Sequence, residues 1–158
     1  MNKKRILIID DEASFTRLLA LNLGCTGKYT LRAENWAPHG LAAVREFHPD
    51  LILLDVMMPG MDGGRIAAEL QANLSLKKIP LVFLTAAVKK EEVQSRNGLI
   101  GGFSYLAKPV TMNELMECLE KRLGQQPDAE GAVEQNAQAT FMSRPIKQSS
   151  DFANTLTK

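Results

Sequence analysis

Four short apolar runs, each closed by a polar residue, constrain this chain more than any other feature. Ile6-Leu7-Ile8-Ile9 runs into Asp10-Asp11, Leu51-Ile52-Leu53-Leu54 into Asp55, and Leu81-Val82-Phe83-Leu84 into Thr85. Phe103-Ser104-Tyr105-Leu106-Ala107 runs into Lys108-Pro109. The first three are continuously apolar rather than alternating, the pattern of parallel strands covered on both faces. Tyr29-Thr30-Leu31-Arg32-Ala33 is a weaker fifth candidate. Amphipathic stretches fall between them. Phe15, Leu18, Leu19 and Leu23 follow the i, i+3, i+4, i+8 stripe of a helix, and residues 38–47 make a second. Ile66, Ala67 and Leu70 mark a third helix, and Leu115, Met116, Leu119 and Leu123 a fifth. The fourth, about residues 90–97, has Val93 as its main apolar side chain and is expected to be loosely held. Strands alternating with helices predict an α/β fold. If the strands lie parallel, their polar closures converge on one edge, where such sheets bind ligands.

Each closing residue has an ordinary explanation when taken alone. Asp10 and Asp11 before a helix are good caps, Asp55 a turn residue ahead of Pro59-Gly60, and Thr85 another cap. Lys108 is a solvated amine and Tyr105 a core aromatic on the same terms. Those explanations predict no shared geometry, whereas the sheet places all of these groups together. Three crowded carboxylates repel unless a cation joins them, and oxygen-only ligands suit Mg²⁺. A lysine opposite would neutralise a phosphoryl oxygen, and a threonine hydroxyl would donate to another. One carboxylate is then free to act as a nucleophile and form an aspartyl phosphate.

Composition narrows the alternatives. With 158 residues and 45% hydrophobic content the chain supports one globular core. A net charge of +1 and pI ≈ 7.8 give no electrostatic case for nucleic acid or an anionic membrane. The basic start at Met1–Arg5 is followed by only four apolar residues, too short for a signal peptide, and no run approaches a membrane span. Cys25 and Cys118 lie in no metal-ligand or CxxC spacing and are read as reduced thiols of a cytoplasmic protein. Residues 1–124 carry 16 basic and 14 acidic side chains, residues 125–158 three and four. Gly124 and Pro127 end the last helix, so the chain divides into a domain at 1–124 and a tail at 125–158, either disordered or a docking arm. His39 and His48 fall on or beside the second helix, where surface roles are expected, and Trp36 in the loop before it.

Over residues 4–123 the sequence resembles the receiver domain of two-component response regulators. The resemblance is carried by Asp10-Asp11, by Asp55 within Asp55-Val56-Met57-Met58-Pro59-Gly60-Met61-Asp62-Gly63, and by Thr85, Tyr105 and Lys108-Pro109. Asp55 and Thr85 stand 30 residues apart, and Tyr105 precedes Lys108 by three. The resemblance implies a flavodoxin-like, doubly wound, five-stranded parallel sheet in order 2-1-3-4-5, with five helices and the C-terminal tail. It implies that Asp55 accepts a phosphoryl group from a histidine kinase or histidine phosphotransfer protein. Asp10, Asp11, Asp55 and the backbone carbonyl of Met57 would hold Mg²⁺, or Mn²⁺ in its place. Thr85 and Lys108 would bind phosphoryl oxygens, Tyr105 would swing inward with Thr85, and Lys108-Pro109 would be cis. The implied output surface is helix four, strand five and helix five, where a downstream protein would bind or the chain would self-associate.

Met57, two after the acceptor, and Ala87, two after Thr85, offer an attacking water no hydrogen bond, so self-dephosphorylation is expected to be slow. The reading is thus a phosphoacceptor switch without a fused output domain, not an enzyme. One alternative is a phosphate sink for a shared kinase. Another is an aspartate-nucleophile phosphohydrolase, which usually needs a second acid where Met57 stands. A nucleotide-binding protein is disfavoured, because no GxxxxGK[ST] or GxGxxG segment occurs and Gly98, Gly101 and Gly102 match neither.

Overall fold

In the computed structural model, residues 2–124 are described. The tail assigned to 125–158, as a disordered segment or docking arm, lies outside the described residues. The strands are β1 (Lys4–Ile9), β2 (Tyr29–Glu34), β3 (Leu51–Leu54), β4 (Leu81–Thr85), β5 (Leu99–Ile100) and β6 (Phe103–Ala107). The helices are α1 (Ala13–Cys25), α2 (Gly40–Phe47), α3 (Gly63–Ala72), α4 (Lys90–Ser95) and α5 (Met112–Gly124), with a 3-10 turn at Ala37–His39 ahead of α2. The sheet order is β2-β1-β3-β4-β6-β5. All neighbours run parallel except β5, which pairs antiparallel with β6 through Leu99↔Ser104 and Ile100↔Phe103. The doubly wound parallel arrangement is thus the expected one, and β6 is the strand expected fifth. The additional strand, β5, forms a hairpin with β6, and its two turn residues, Gly101 and Gly102, both have positive φ (58° and 85°), as a tight two-residue turn requires.

The apolar strands divide their side chains between two cores. Leu7, Ile9, Ile52, Leu54 and Phe83 face Val44 of α2, Ile66 and Leu70 of α3 and Val93 of α4. Ile6, Ile8, Leu51, Leu53, Val82 and Leu84 face Leu19 and Leu23 of α1 and Leu115 and Leu119 of α5. This explains the unbroken apolar runs, since both faces of β1, β3 and β4 are covered. Two elements differ from expectation. Leu18 does not join the α1 stripe but is 59% exposed. At 100° per residue, Phe15, Thr16, Leu19 and Leu23 line one side of the helix, and Leu18 lies about 115° from its centre. Helix α4 stops at Ser95, short of residue 97, with Val93 its buried residue.

The register aligns the ends of the strands. Ile9 pairs with Leu54, Leu54 with Phe83 and Thr85 with Ala107. Asp10, Asp55 and Lys108, one residue past β1, β3 and β6, and Thr85 at the end of β4 therefore emerge at one edge. Among the described residues no helix is long and apolar enough to cross a membrane.

Candidate functional site

Backbone hydrogen bonds carry the ladder one residue past the strands and so fix the functional groups. The Asp55 N–H donates to the Ile9 carbonyl (2.9 Å), and the Lys108 N–H to the Thr85 carbonyl (3.0 Å). The Lys108–Pro109 peptide bond is cis. Asp10 is 2% exposed and Asp55 8%, while Asp11 faces solvent. Carboxylate oxygens of Asp10, Asp11 and Asp55 all lie within 4.8 Å of one another. Lys108 Nζ sits 2.5 Å from Asp10 Oδ2 and 3.3 Å from Asp55 Oδ2, joining the two strand ends. The other Asp10 oxygen, Oδ1, accepts the Glu12 N–H at 2.9 Å.

These groups reshape one another's protonation. Burial raises the Asp10 carboxyl above its usual range, against the opposing pull of Lys108 and the Glu12 amide. Burial alone would depress the Lys108 ammonium, but its hydrogen bond to Asp10 and the charges of Asp10 and Asp55 push it above the usual lysine value. The lysine is therefore a firm cation among partly desolvated carboxylates. Its Nζ also lies 4.3 Å from the Phe15 ring centroid, an arrangement in which the ring face favours positive charge.

Thr85 is fully buried, and its Oγ1 accepts the Ala87 N–H at 3.1 Å. The hydroxyl proton is thus left for a second partner. Met57 is 70% exposed at the rim, tied to the site where its N–H donates to Asp55 Oδ1 at 3.3 Å. Tyr105 stands on β6 opposite Phe83 of β4. Its ring is 9% exposed and stacks on Phe83 with centroids 4.7 Å apart. Burial, and secondarily the charge of Asp62, hold its phenol above the ordinary value and keep it neutral.

Sequence reasoning brought Asp10, Asp11, Asp55, Thr85 and Lys108 together but passed over two contributors. Phe15 read only as a stripe residue, although α1 starts beside the acidic pair and sets the ring under Lys108. Gly63 read only as part of a turn. An added Cβ there would lie 2.0 Å from the Asp55 carbonyl oxygen, and the Gly63 N–H donates to the Val56 carbonyl at 2.9 Å. The helix can approach the Asp55 backbone only because residue 63 has no side chain.

An oxygen-only donor set of three carboxylates, two on one turn and one on the neighbouring strand end, fits a hard divalent cation such as Mg²⁺. The sequence and the fold match known proteins. The response regulator receiver domain family matches residues 6–120. This chain belongs to that family. It is 39% identical over 118 residues to the phosphate regulon transcriptional regulatory protein PhoB of Pseudomonas aeruginosa, covering 74% of this chain and 50% of that protein. It is 37% identical over 127 residues to the DNA-binding response regulator MtrA of Mycolicibacterium paratuberculosis, covering 80% and 54%. The receiver domain thus spans about half the length of these relatives. A CheY-like receiver domain protein of Methanospirillum hungatei superposes with a TM-score of 0.67 at 27% identity, covering 79% of this chain and 97% of that one. The receiver domain of a sensor histidine kinase from Pseudomonas aeruginosa shares the fold at a TM-score of 0.65 and 23% identity, over 78% and 99% of the two chains. That structure holds a magnesium ion in its active-site cleft.

Proposed function

We propose that this receiver domain is a phosphoacceptor switch in which Asp55 takes a phosphoryl group from a phosphohistidine of a histidine kinase or phosphotransfer protein. The observation that carries the reading is the cluster itself: three carboxylates within 4.8 Å, two of them joined by Lys108. An Asp55 carboxylate oxygen attacks phosphorus, the P–N bond to the imidazole breaks as the P–O bond forms, and the departing nitrogen is left for a proton from solvent. Mg²⁺ held by Asp10, Asp11, Asp55 and the Met57 carbonyl would neutralise phosphoryl charge and bring acceptor and donor together. Lys108 exchanges its present carboxylate partners for a phosphoryl oxygen, and Thr85 donates its free hydroxyl proton to another.

The domain is a switch and not a phosphohydrolase, because Met57 stands where a second acid would serve. Its output passes to a protein partner at the face formed by α4, β6 and α5. That face carries a groove of about 390 Å³ lined by Val93, Tyr105, Val110 and Cys118, bridged at its rim by the Lys90–Glu114 ion pair at 3.4 Å. Phosphotransfer from a labelled phosphohistidine donor tests the acceptor role. Capture of partners with and without an acyl-phosphate mimic then tests the output. Partners retained only with the mimic support the switch. Transfer with no mimic-dependent partner would make the domain a phosphate sink.

A further inference from the structure

The acidic pair sits on a turn between β1 and α1, and an unbound turn of that kind has several orientations open to it. Here the end of β2 holds it on both sides. The Asp10 N–H donates to the Glu34 carbonyl at 3.1 Å, and the Asp10 carbonyl accepts from Asn35 Nδ2 at 2.7 Å. The same Nδ2 donates its second hydrogen to Thr16 Oγ1 at 2.8 Å. Thr16 is buried, and its hydroxyl donates in turn to the Ala13 carbonyl at 3.2 Å. A carbonyl oxygen can only accept, so the amide nitrogen of Asn35 must be the atom that faces it.

The Asp10 carbonyl belongs to the same rigid plane as the Asp11 N–H, because the peptide bond does not rotate. Holding that oxygen fixes the plane and with it the direction in which Asp11 leaves the turn. Asp11 is exposed and so gains little orientation from packing. We infer that Asn35 is the positioning residue of the cation site. It touches neither cation nor phosphoryl group, and it acts by setting the Asp10–Asp11 peptide so that both carboxylates face Asp55. The inference rests on the proposed Mg²⁺-dependent phosphoacceptor role. Mg²⁺ demands near-ideal octahedral geometry, so a turn free to pivot loses affinity.

The test is a Mg²⁺ titration followed by the amide NMR shifts of Asp10, Asp11 and Asp55, with no phosphoryl donor present. Asn35→Ala should weaken the apparent Mg²⁺ affinity about tenfold, the lower end for loss of a group that orients a ligand, with the thermal midpoint nearly unchanged. Thr16→Val keeps the Asn35–Asp10 contact and should leave the apparent Mg²⁺ affinity at the parental value. Phosphorylation of Asn35→Ala by acetyl phosphate should recover when Mg²⁺ is raised to saturation. Parent-like affinity in Asn35→Ala, or an equal loss in Thr16→Val, would overturn the inference and leave the phosphoacceptor role standing. A parent that shows no Mg²⁺-dependent shift at these amides would overturn both.

Discussion

At Gly63 the start of α3 passes so close to the end of β3 that any side chain collides with backbone. The contact is with the Asp55 carbonyl and not with a movable side-chain tip, so relief requires shifting either the helix or the Asp55 backbone. Gly63→Ala should cost about 1–3 kcal/mol, the usual range for forced overpacking, and should slow phosphorylation of Asp55 as well. Urea melts and initial phosphorylation rates check the two effects. A variant with parental stability and rate would mean that the helix start yields freely. This constraint shows what sequence alone reveals about single residues. Asp55 and Lys108 were legible because each is a chemically distinctive group at the end of an apolar run. Gly63 and Asn35 were not, since their parts depend on distances to backbone atoms of remote segments, and neither residue type announces that.

Among the elements, α5 begins with a reciprocal cap. The Thr111 N–H and hydroxyl donate to Glu114 Oε2 at 2.7 and 2.9 Å, and the Glu114 N–H donates back to Thr111 Oγ1 at 3.2 Å. Two helix-start donors are satisfied at once. The Thr111 amide chiefly, then its hydroxyl and Lys90, hold the Glu114 carboxyl below its usual range. A depressed folded-state pKa gives stability that is present above the unfolded value, about 4.3, and is lost as pH falls through the folded value. Glu114→Gln keeps the cap's shape without its charge. The parent should therefore be more stable at neutral pH, and the gap should close in thermal melts below about pH 4. A gap that stays constant with pH would contradict the assignment. Unbroken apolar runs made β1, β3 and β4 plain in the sequence, while β5 escaped notice. Its signal was present as Gly101-Gly102 between Leu99-Ile100 and Phe103, but a two-residue strand has too few positions to show a period.

For the whole molecule, the fold joins two covered sheet faces to one polar edge, and that edge abuts the face formed by α4, β6 and α5. The apolar runs made the doubly covered parallel strands legible, whereas the strand order and the output face followed from the receiver-domain resemblance. The stacking of Tyr105 on Phe83 was not legible, since it depends on the β4–β6 register that sets the two rings 4.7 Å apart. A swing from 1:99 to 99:1 between two states needs about 5.5 kcal/mol of differential binding. One charge-assisted contact supplies about 1.5–3 kcal/mol. Thr85→Ala and Lys108→Ala should thus remain phosphorylatable yet blunt the response at the α4–β6–α5 face, read from amide shifts near Tyr105. Parental switching in either variant would rule out this coupling.

Whether Asp55 is the phosphoacceptor is decided by intact-mass measurement after incubation with acetyl phosphate. The parent should gain a single phosphoryl group only when Mg²⁺ or Mn²⁺ is present and lose it on treatment with hydroxylamine, as an acyl phosphate does. Asp55→Asn should gain none while retaining the parental fold by circular dichroism. Hydroxylamine-stable label on Asp55→Asn, or metal-independent labelling of the parent, would rule out Asp55 as a metal-dependent acceptor.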